Sequence, residues 1–197
     1  MRKGEATRQR ILEEAAPIFN RLGFAGCSMQ DLMDATGLEK GGIYRHFANK
    51  EELATEAFRL AVAQSVKLRT DHLDEIPNAL DKLRRAIALF VETPSPMPGG
   101  CPLMNTAIDA DDGNPALREL VLEAIQGWRS RIEAIVEAGI RAGEIRKGTR
   151  AERIANTMIA TLEGALMISR LEGSKNALLD AQVALHVVLD GIATQRE

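Results

Sequence analysis

The sequence predicts an all-α protein of about nine helices, and three observations predict it. Aromatic residues make up only 4% of the chain, while alanine, leucine, isoleucine and glutamate abound, a composition that favours helices. Apolar residues recur at helical spacing and form one-sided stripes. Between the stripes fall the glycines, prolines and short polar residues that helix caps and turns require. The 197 residues suit one domain, or two small ones sharing a core, and an apolar fraction of 45% suffices for that core.

The first helix reads ATRQRILEEAAPIFNRLG, with Ile11, Ala15, Ile18, Phe19 and Leu22 on one face. Gly23 ends it, and Pro17 inside it predicts a bend. Ser28 caps a second helix, with Asp31 three residues on as a shortened capping box. MQDLMDAT then offers Met29, Leu32 and Met33 for burial, Gly37 permits a sharp turn, and Leu38 packs inward. A short third helix is expected over about Lys40–Phe47. Asn49 and Glu52 pair as the cap of a long fourth helix, EELATEAFRLAVAQSVKLR, running from about 50 to 70.

Helix, helix, glycine turn and short helix is the pattern of a helix-turn-helix. The second helix of such a pair enters the DNA major groove. GLEKGGIYRHFANKEEL, residues 37–53, places Gly41 and Gly42 inside that short helix. Each glycine costs a helix interior roughly 1 kcal/mol relative to alanine. Glycines on the groove side let the backbone approach DNA, with Tyr44, His46 and Lys50 in reach of phosphates. A plain loop with a half-buried Tyr44 accounts for the same spacing. Net charge is −3, but residues 1–50 carry eight Lys/Arg against six Asp/Glu, and the remainder 17 against 22. A mildly basic head on an acidic body fits phosphate contact at one end.

This stretch resembles the hallmark of the TetR (TetR/AcrR-type) family of bacterial transcriptional regulators, roughly G-V-S-K-G-T-L-Y-x-H/Y-F-x-S/N-K-E-E-L. Lys40, Gly41, Tyr44, Phe47, Lys50 and Leu53 fall in register, and RILEEAAPIFNRLGFAGCSMQDLMDATG resembles the family's first two helices. The similarity is dense over about residues 7–55, and the acidic helical remainder has the family's expected length. It implies an N-terminal three-helix DNA-binding domain, residues 1–50, and a helical ligand-binding and dimerisation domain, residues 51–197. The DNA-binding set is then Ser28, Lys40, Gly41, Gly42, Tyr44, Arg45, His46 and Lys50. Glu39 and Gly42 stand where the family often has Ser and Thr. The short helix therefore loses its best N-cap, and a contact to a thymine methyl is lost. Arg45 becomes the leading candidate for a base edge.

After residue 70 the character changes. IPNALDKLRRAIALFVE is one amphipathic helix, and TPSPMPGGCP, with four of the seven prolines, is a loop or hinge. CPLMNTAIDAD restarts a helix with Pro102 at its first position. A turn at DGNP precedes a long helix from about Pro115 to Ala142, striped by Leu117, Val121, Ala124, Trp128, Ile132 and Ile135. TRAERIANTMIATLEGALMISRLEG and NALLDAQVALHVVLDGIATQ close the chain. The last helix is apolar on nearly every side between Leu178 and Leu189, so it must be buried. A second copy is expected to supply that cover, two helices from each subunit making a four-helix bundle with Gly164 and Ala165 allowing close approach; a purely intramolecular core is the other reading. A homodimer would read a palindrome through recognition helices about 34 Å apart.

Cys101 precedes Pro102 near a helix N-cap, where a thiolate faces the positive end of the helix dipole. Gly99 and Gly100 are expected to leave it accessible. GGCPLMNTAID is also similar to a stretch of a TetR subgroup, some of whose members respond to reactive electrophiles. An inert buried cysteine is the other reading, and Cys27 reads as core. The family resemblance implies a ligand pocket between the middle helices, with Met97, Met104, Trp128, Met158 and Met167 as candidates to line it. The same residues serve as ordinary core fillers.

An enzyme is not expected. His46, His72 and His186 are scattered, and no Ser/His/Asp, HExxH or phosphate-loop pattern occurs. Cys27 and Cys101 form no CxxC or Cys/His cluster, so no metal or other cofactor is expected. The opening MRKGEATRQR lacks the apolar stretch of a signal peptide, and no apolar run would span a membrane. A cytoplasmic protein with reduced thiols follows. The expected partners are double-stranded operator DNA, a small-molecule or electrophilic inducer and a second copy. A helical protein-interaction module or a small enzyme without operator binding is the alternative.

Overall fold

A computed structural model describes residues 3–111 and 113–194. The described residues form nine α-helices, one 3-10 turn at Leu73–Glu75 and a single isolated bridge, Ile145 with Ala193. Asp112, in the expected DGNP turn, lies outside the described residues. The chain divides into two compact units. The first comprises residues 1–65 and 95–124, the second residues 66–94 and 125–197. These packing units are not the division at residue 50 expected on functional grounds, because a later segment packs with the N-terminal helices.

In the first unit, α1 (Lys3–Gly26) turns Ile11, Leu12, Ala15 and Ala16 into a core shared with Leu32, Ile43, Phe47 and Leu53. The expected bend at Pro17 is not where the helix breaks. Helical dihedrals persist to Gly23, which leaves them at φ 73° and ψ 172°. Left-handed φ is open to glycine at little steric cost, so the interruption falls there. Leu22, expected on the buried face, is exposed, and Asn20 is buried instead.

Helix α2 (Met29–Thr36) carries a complete capping box. The Asp31 amide donates to Ser28 Oγ at 3.2 Å, and the Ser28 amide donates to Asp31 Oδ2 at 2.7 Å. Gly37 closes the helix in the left-handed region at φ 64°, its amide donating to the Met33 carbonyl. Helix α3 (Lys40–Ile43) is shorter than expected, and Tyr44–His46 continue it as turns. Its N-cap, Glu39, makes no side-chain cap bond, so nothing offsets the poor helix propensity of its two glycines. Helix α4 (Lys50–Arg69) starts on Asn49 Oδ1, which accepts from the Glu52 amide at 2.8 Å.

The second unit holds α5 (Ala79–Glu92), α8 (Ala151–Glu172) and α9 (Asn176–Ile192). Leu83, Ile87, Phe90, Met158, Leu162, Leu185 and Leu189 form its core, and Val136, from the second half of α7 (Pro115–Arg141), completes it. Phe90 stacks on Trp128 with ring centroids 5.8 Å apart. Helix α5 is capped at its start by Asn78 and by Glu144, whose carboxylate accepts from the Ala79 amide at 2.6 Å. The remaining helix, α6 (Pro102–Ala110), belongs to the first unit.

Burial of α9 is incomplete. Leu178, Ala181, Leu185 and Leu189 face the core, but Val183 and Val187 are 65% and 66% exposed. On α8, Leu171 is 81% exposed, and Met167 and Ile168 are also open. A side chain added at Gly164 would meet nothing within 4 Å. No helix of the described residues is long and apolar enough to cross a membrane.

Candidate nucleic-acid interface

The segment from Ser28 to Lys50 is held from behind by α1 and α4. Arg8 lies over the Phe47 ring at 4.5 Å and bonds Glu56 at 2.5 Å. That bond raises the arginine's pKa and holds the Glu56 carboxyl below its ordinary value. Arg10 donates to the Thr36 carbonyl at 3.0 Å, closing the C-terminal end of α2. The Asp31 carboxyl is held below its usual range by the Ser28 hydroxyl, then by the Ser28 amide. Phe47, Ile43 and Leu32 anchor the segment in the core, so the opposite side of α3 is the open one.

Lys40, Gly41 and Arg45 are exposed on that side, as is Ser28, while Gly42, Tyr44, His46 and Lys50 are half-buried. Neither Gly41 nor Gly42 has a positive φ. A Cβ at Gly41 would meet nothing within 4 Å, and one at Gly42 would make ordinary contact with Leu38 at 3.5 Å. The protein's own packing therefore does not require either glycine. Tyr44 is oriented by its hydroxyl, 3.3 Å from Met29 Sδ, and by the Lys40 ammonium, 5.8 Å from its ring centre. Lys50, expected on a phosphate, donates to the Phe24 carbonyl at 2.5 Å and lies 4.4 Å from the Phe24 ring centre. An ammonium has three N–H donors, so two remain for other acceptors.

The expected sensor residues fall in both units, Met97, Cys101 and Met104 in the first and Trp128, Met158 and Met167 in the second. Met97 is buried in the first unit's core, and Met104 is half-buried on α6. Met158 is in the second unit's core with Trp128 packed at its margin, and Met167 is at the surface. None lines the crevice formed by Phe19, Ala57, Phe58 and Thr106, or the open hollow formed by Gln126, Arg129, Glu133 and Arg150. Cys101 is the N-cap of α6, as expected, but it is only 2% exposed. The expectation of accessibility fails because Gly99 packs the loop tightly against Asn20 instead of opening it. Cys27 is core, and burial pushes its thiol pKa up. No group of three or more His, Cys, Asp or Glu residues able to hold a metal occurs among the described residues.

Sequence reasoning missed Asn20, Asn105 and Asp109. Asn20 donates to the Pro98 carbonyl at 2.8 Å, Asn105 donates to the Asn20 carbonyl at 3.0 Å, and Asp109 accepts from the Phe24 amide at 2.6 Å. The available signal was a polar Asn20 beside the apolar face of the first helix.

Residues 11–57 match the model described as bacterial regulatory proteins, tetR family, and residues 79–185 match the tetracyclin repressor-like C-terminal domain. A TetR transcriptional regulator from Chloroflexus aurantiacus J-10-FL is 42% identical, with 98% of each chain covered and a TM-score of 0.93. A TetR-family transcriptional regulator from Cytophaga hutchinsonii is 36% identical, covering 100% of this chain and 99% of that one, with a TM-score of 0.92. The transcriptional repressor DhaR of Mycobacterium sp. (strain GP1) is 22% identical, over 87% of this chain and 86% of its own length.

Proposed function

This chain belongs to the TetR family of bacterial regulatory proteins and is a DNA-binding transcriptional regulator; we propose that it is a homodimeric repressor, released from a palindromic operator by an inducer. The observation that carries the reading is the glycine pair. Gly41 and Gly42 weaken α3 and serve no packing need inside the protein. Their use lies outside it, in close approach of the main chain to a duplex.

Residues 1–50 then read DNA, and residues 51–197 bind effector and dimerise. Lys40, His46 and Lys50 supply phosphate contacts around the helix. Exposed Arg45 reaches a base edge, where a bidentate pairing with guanine is the commonest specific contact. Ser28 presents the N-terminus of α2 to the backbone. Tyr44, fastened to Met29, holds the angle of the segment.

The open stripe of Val183 and Val187 on α9, with Leu171 on α8, is the surface a second copy covers. Isologous packing of these helices makes a four-helix bundle. Trp128 and Met158 stay candidates for an effector site in the second unit. Modification of Cys101 by an electrophile first requires the 95–101 loop to loosen, so a non-covalent small molecule is the favoured inducer class. The effector needs only to prefer the non-binding state by a few kcal/mol.

A gel shift with the intergenic DNA beside the protein's own gene tests the reading. A saturable shift resisting excess unrelated duplex is expected, and its absence would refute operator binding. Addition of quinones or aldehydes to wild type and Cys101→Ser separates covalent from non-covalent release.

A further inference from the structure

We propose that Arg8 and Arg10 are positioning residues for DNA reading: the two arginines fix opposite ends of the segment 37–47 and so hold the geometry that tells the operator from other duplex. The proposal rests on the reading that residues 28–50 meet DNA, and concerns side chains that act from behind that segment.

The segment has little to hold it from within. Helix α3 spans four residues, two of them glycine, and its N-cap, Glu39, makes no side-chain bond. One turn of helix is unstable alone. Ile43 and Phe47 anchor it in the core, but apolar burial is non-directional, whereas hydrogen bonds have a preferred geometry. The directional contacts come at the two ends.

Two residues apart on a helix, Arg8 and Arg10 face different ways, one on each side of the buried stripe begun by Ile11. Arg10 serves the entry. Its Nη1 donates to the Thr36 carbonyl at 3.0 Å, at the last residue of α2 and directly before the left-handed Gly37. Thr36 is buried, and its hydroxyl donates to the Leu32 carbonyl at 2.7 Å, so the acceptor is itself held in place. A cation also suits the negative C-terminal end of a helix.

Arg8 serves the exit. Its guanidinium lies 4.5 Å from the Phe47 ring centre, with Glu56 at 2.5 Å and Glu52 at 3.7 Å, both on α4. Glu52 turns its other oxygen to the amide of Ala48, the residue after Phe47, and accepts from it at 2.6 Å. One ionic group thus fixes both the ring and the main chain where the segment meets α4. A planar guanidinium stacks on a ring while bonding carboxylates at its edge, and a compact ammonium does not match that geometry. The exit therefore depends on Arg8 being arginine and not only on its charge.

Specific binding needs the reading side chains set in advance, whereas attraction to phosphates depends on charge and tolerates misplacement. Loss of either arginine's contacts lowers operator affinity and spares the affinity for unrelated duplex.

The test uses the full chain, a duplex selected by the wild-type protein from a randomised pool, and an unrelated duplex of equal length. Affinity for both, its salt dependence and thermal unfolding are measured for Arg8→Lys, Glu56→Gln, Arg10→Met and Arg10→Lys. Arg8→Lys keeps the charge and is expected to bind the selected duplex about tenfold more weakly, the scale of one cation–π contact. Its affinity for the unrelated duplex and its salt dependence are expected to match wild type. Glu56→Gln removes a negative charge, which alone would strengthen DNA binding, yet weaker binding of the selected duplex is expected. Arg10→Met is expected to lose affinity for the selected duplex, and Arg10→Lys, which keeps a donor for the Thr36 carbonyl, to recover most of it. Wild-type affinity in folded Arg8→Lys, or tighter binding of both duplexes by Glu56→Gln, would overturn the proposal. Equal losses on both duplexes with a shallower salt dependence would mark phosphate contacts and overturn it too. A lower unfolding temperature with unchanged affinity would assign the arginines to stability alone, against the proposal. Should Arg8→Lys fail to fold, Glu56→Gln decides by the same readouts. If the wild type selects no duplex, the DNA reading fails and the proposal with it; if the wild type selects one and Arg8→Lys binds it equally well, only the proposal fails.

Discussion

Gly41 and Gly42 occupy helical backbone that alanine would favour, with room for an added methyl. Gly41→Ala should leave thermal stability unchanged or raise it by up to about 1 kcal/mol, while operator affinity falls at least tenfold. Calorimetry and duplex titration check the two halves separately. A parallel loss of stability and binding would make the glycine a folding requirement. Local pairs such as Ser28 with Asp31 were legible in the sequence because a cap and its partner are three residues apart. Asn20 and Asn105 pair across 85 residues, and no local pattern marks such a match. The accessibility of Cys101 was misread for a related reason. Glycines suggest looseness when read along the chain, whereas Gly99 is glycine because another backbone lies against it.

Helix α9 has one face in the core and another, carrying Val183 and Val187, in the open. Burying a valine contributes about 1.5–3 kcal/mol, and a two-fold interface uses each residue twice. Val183→Glu should therefore weaken self-association by at least about a hundredfold while the monomer keeps its helicity, measured by sedimentation and circular dichroism. The sequence showed that α9 is apolar all round. It did not show which residues go inside, because that depends on how α8 and α5 approach it. Helix α2 makes a prediction in pH. Asp31 and Glu56 have folded-state pKa values below the unfolded 3.8 and 4.5, through bonds from Ser28 and Arg8 respectively. Their contribution is complete above those unfolded values and is lost as pH falls through the lower folded ones. The denaturation midpoint of Ser28→Ala should then depend less on pH below 3.8, the ordinary value of Asp31, than that of wild type.

At the scale of the whole molecule, net charge is −3, so DNA affinity has to come from the local basic surface and not from the protein's overall field. A dimer making six to ten phosphate contacts loses about three to five decades of affinity between 50 and 200 mM salt. That steep dependence is expected here, and a flat one would point to an interaction module. The helical class and the order of elements were legible because helix period and caps are local. A pocket-lining role for Met97, Met104, Trp128, Met158 or Met167 has no such local mark, because core fillers and pocket linings share one helical spacing. The most direct measurement is a crystal structure of the protein on its operator. The expected result is main-chain atoms of Gly41 and Gly42 within about 4 Å of duplex atoms, at ordinary van der Waals contact, in two successive major grooves. A complex in which that segment faces solvent would contradict the reading.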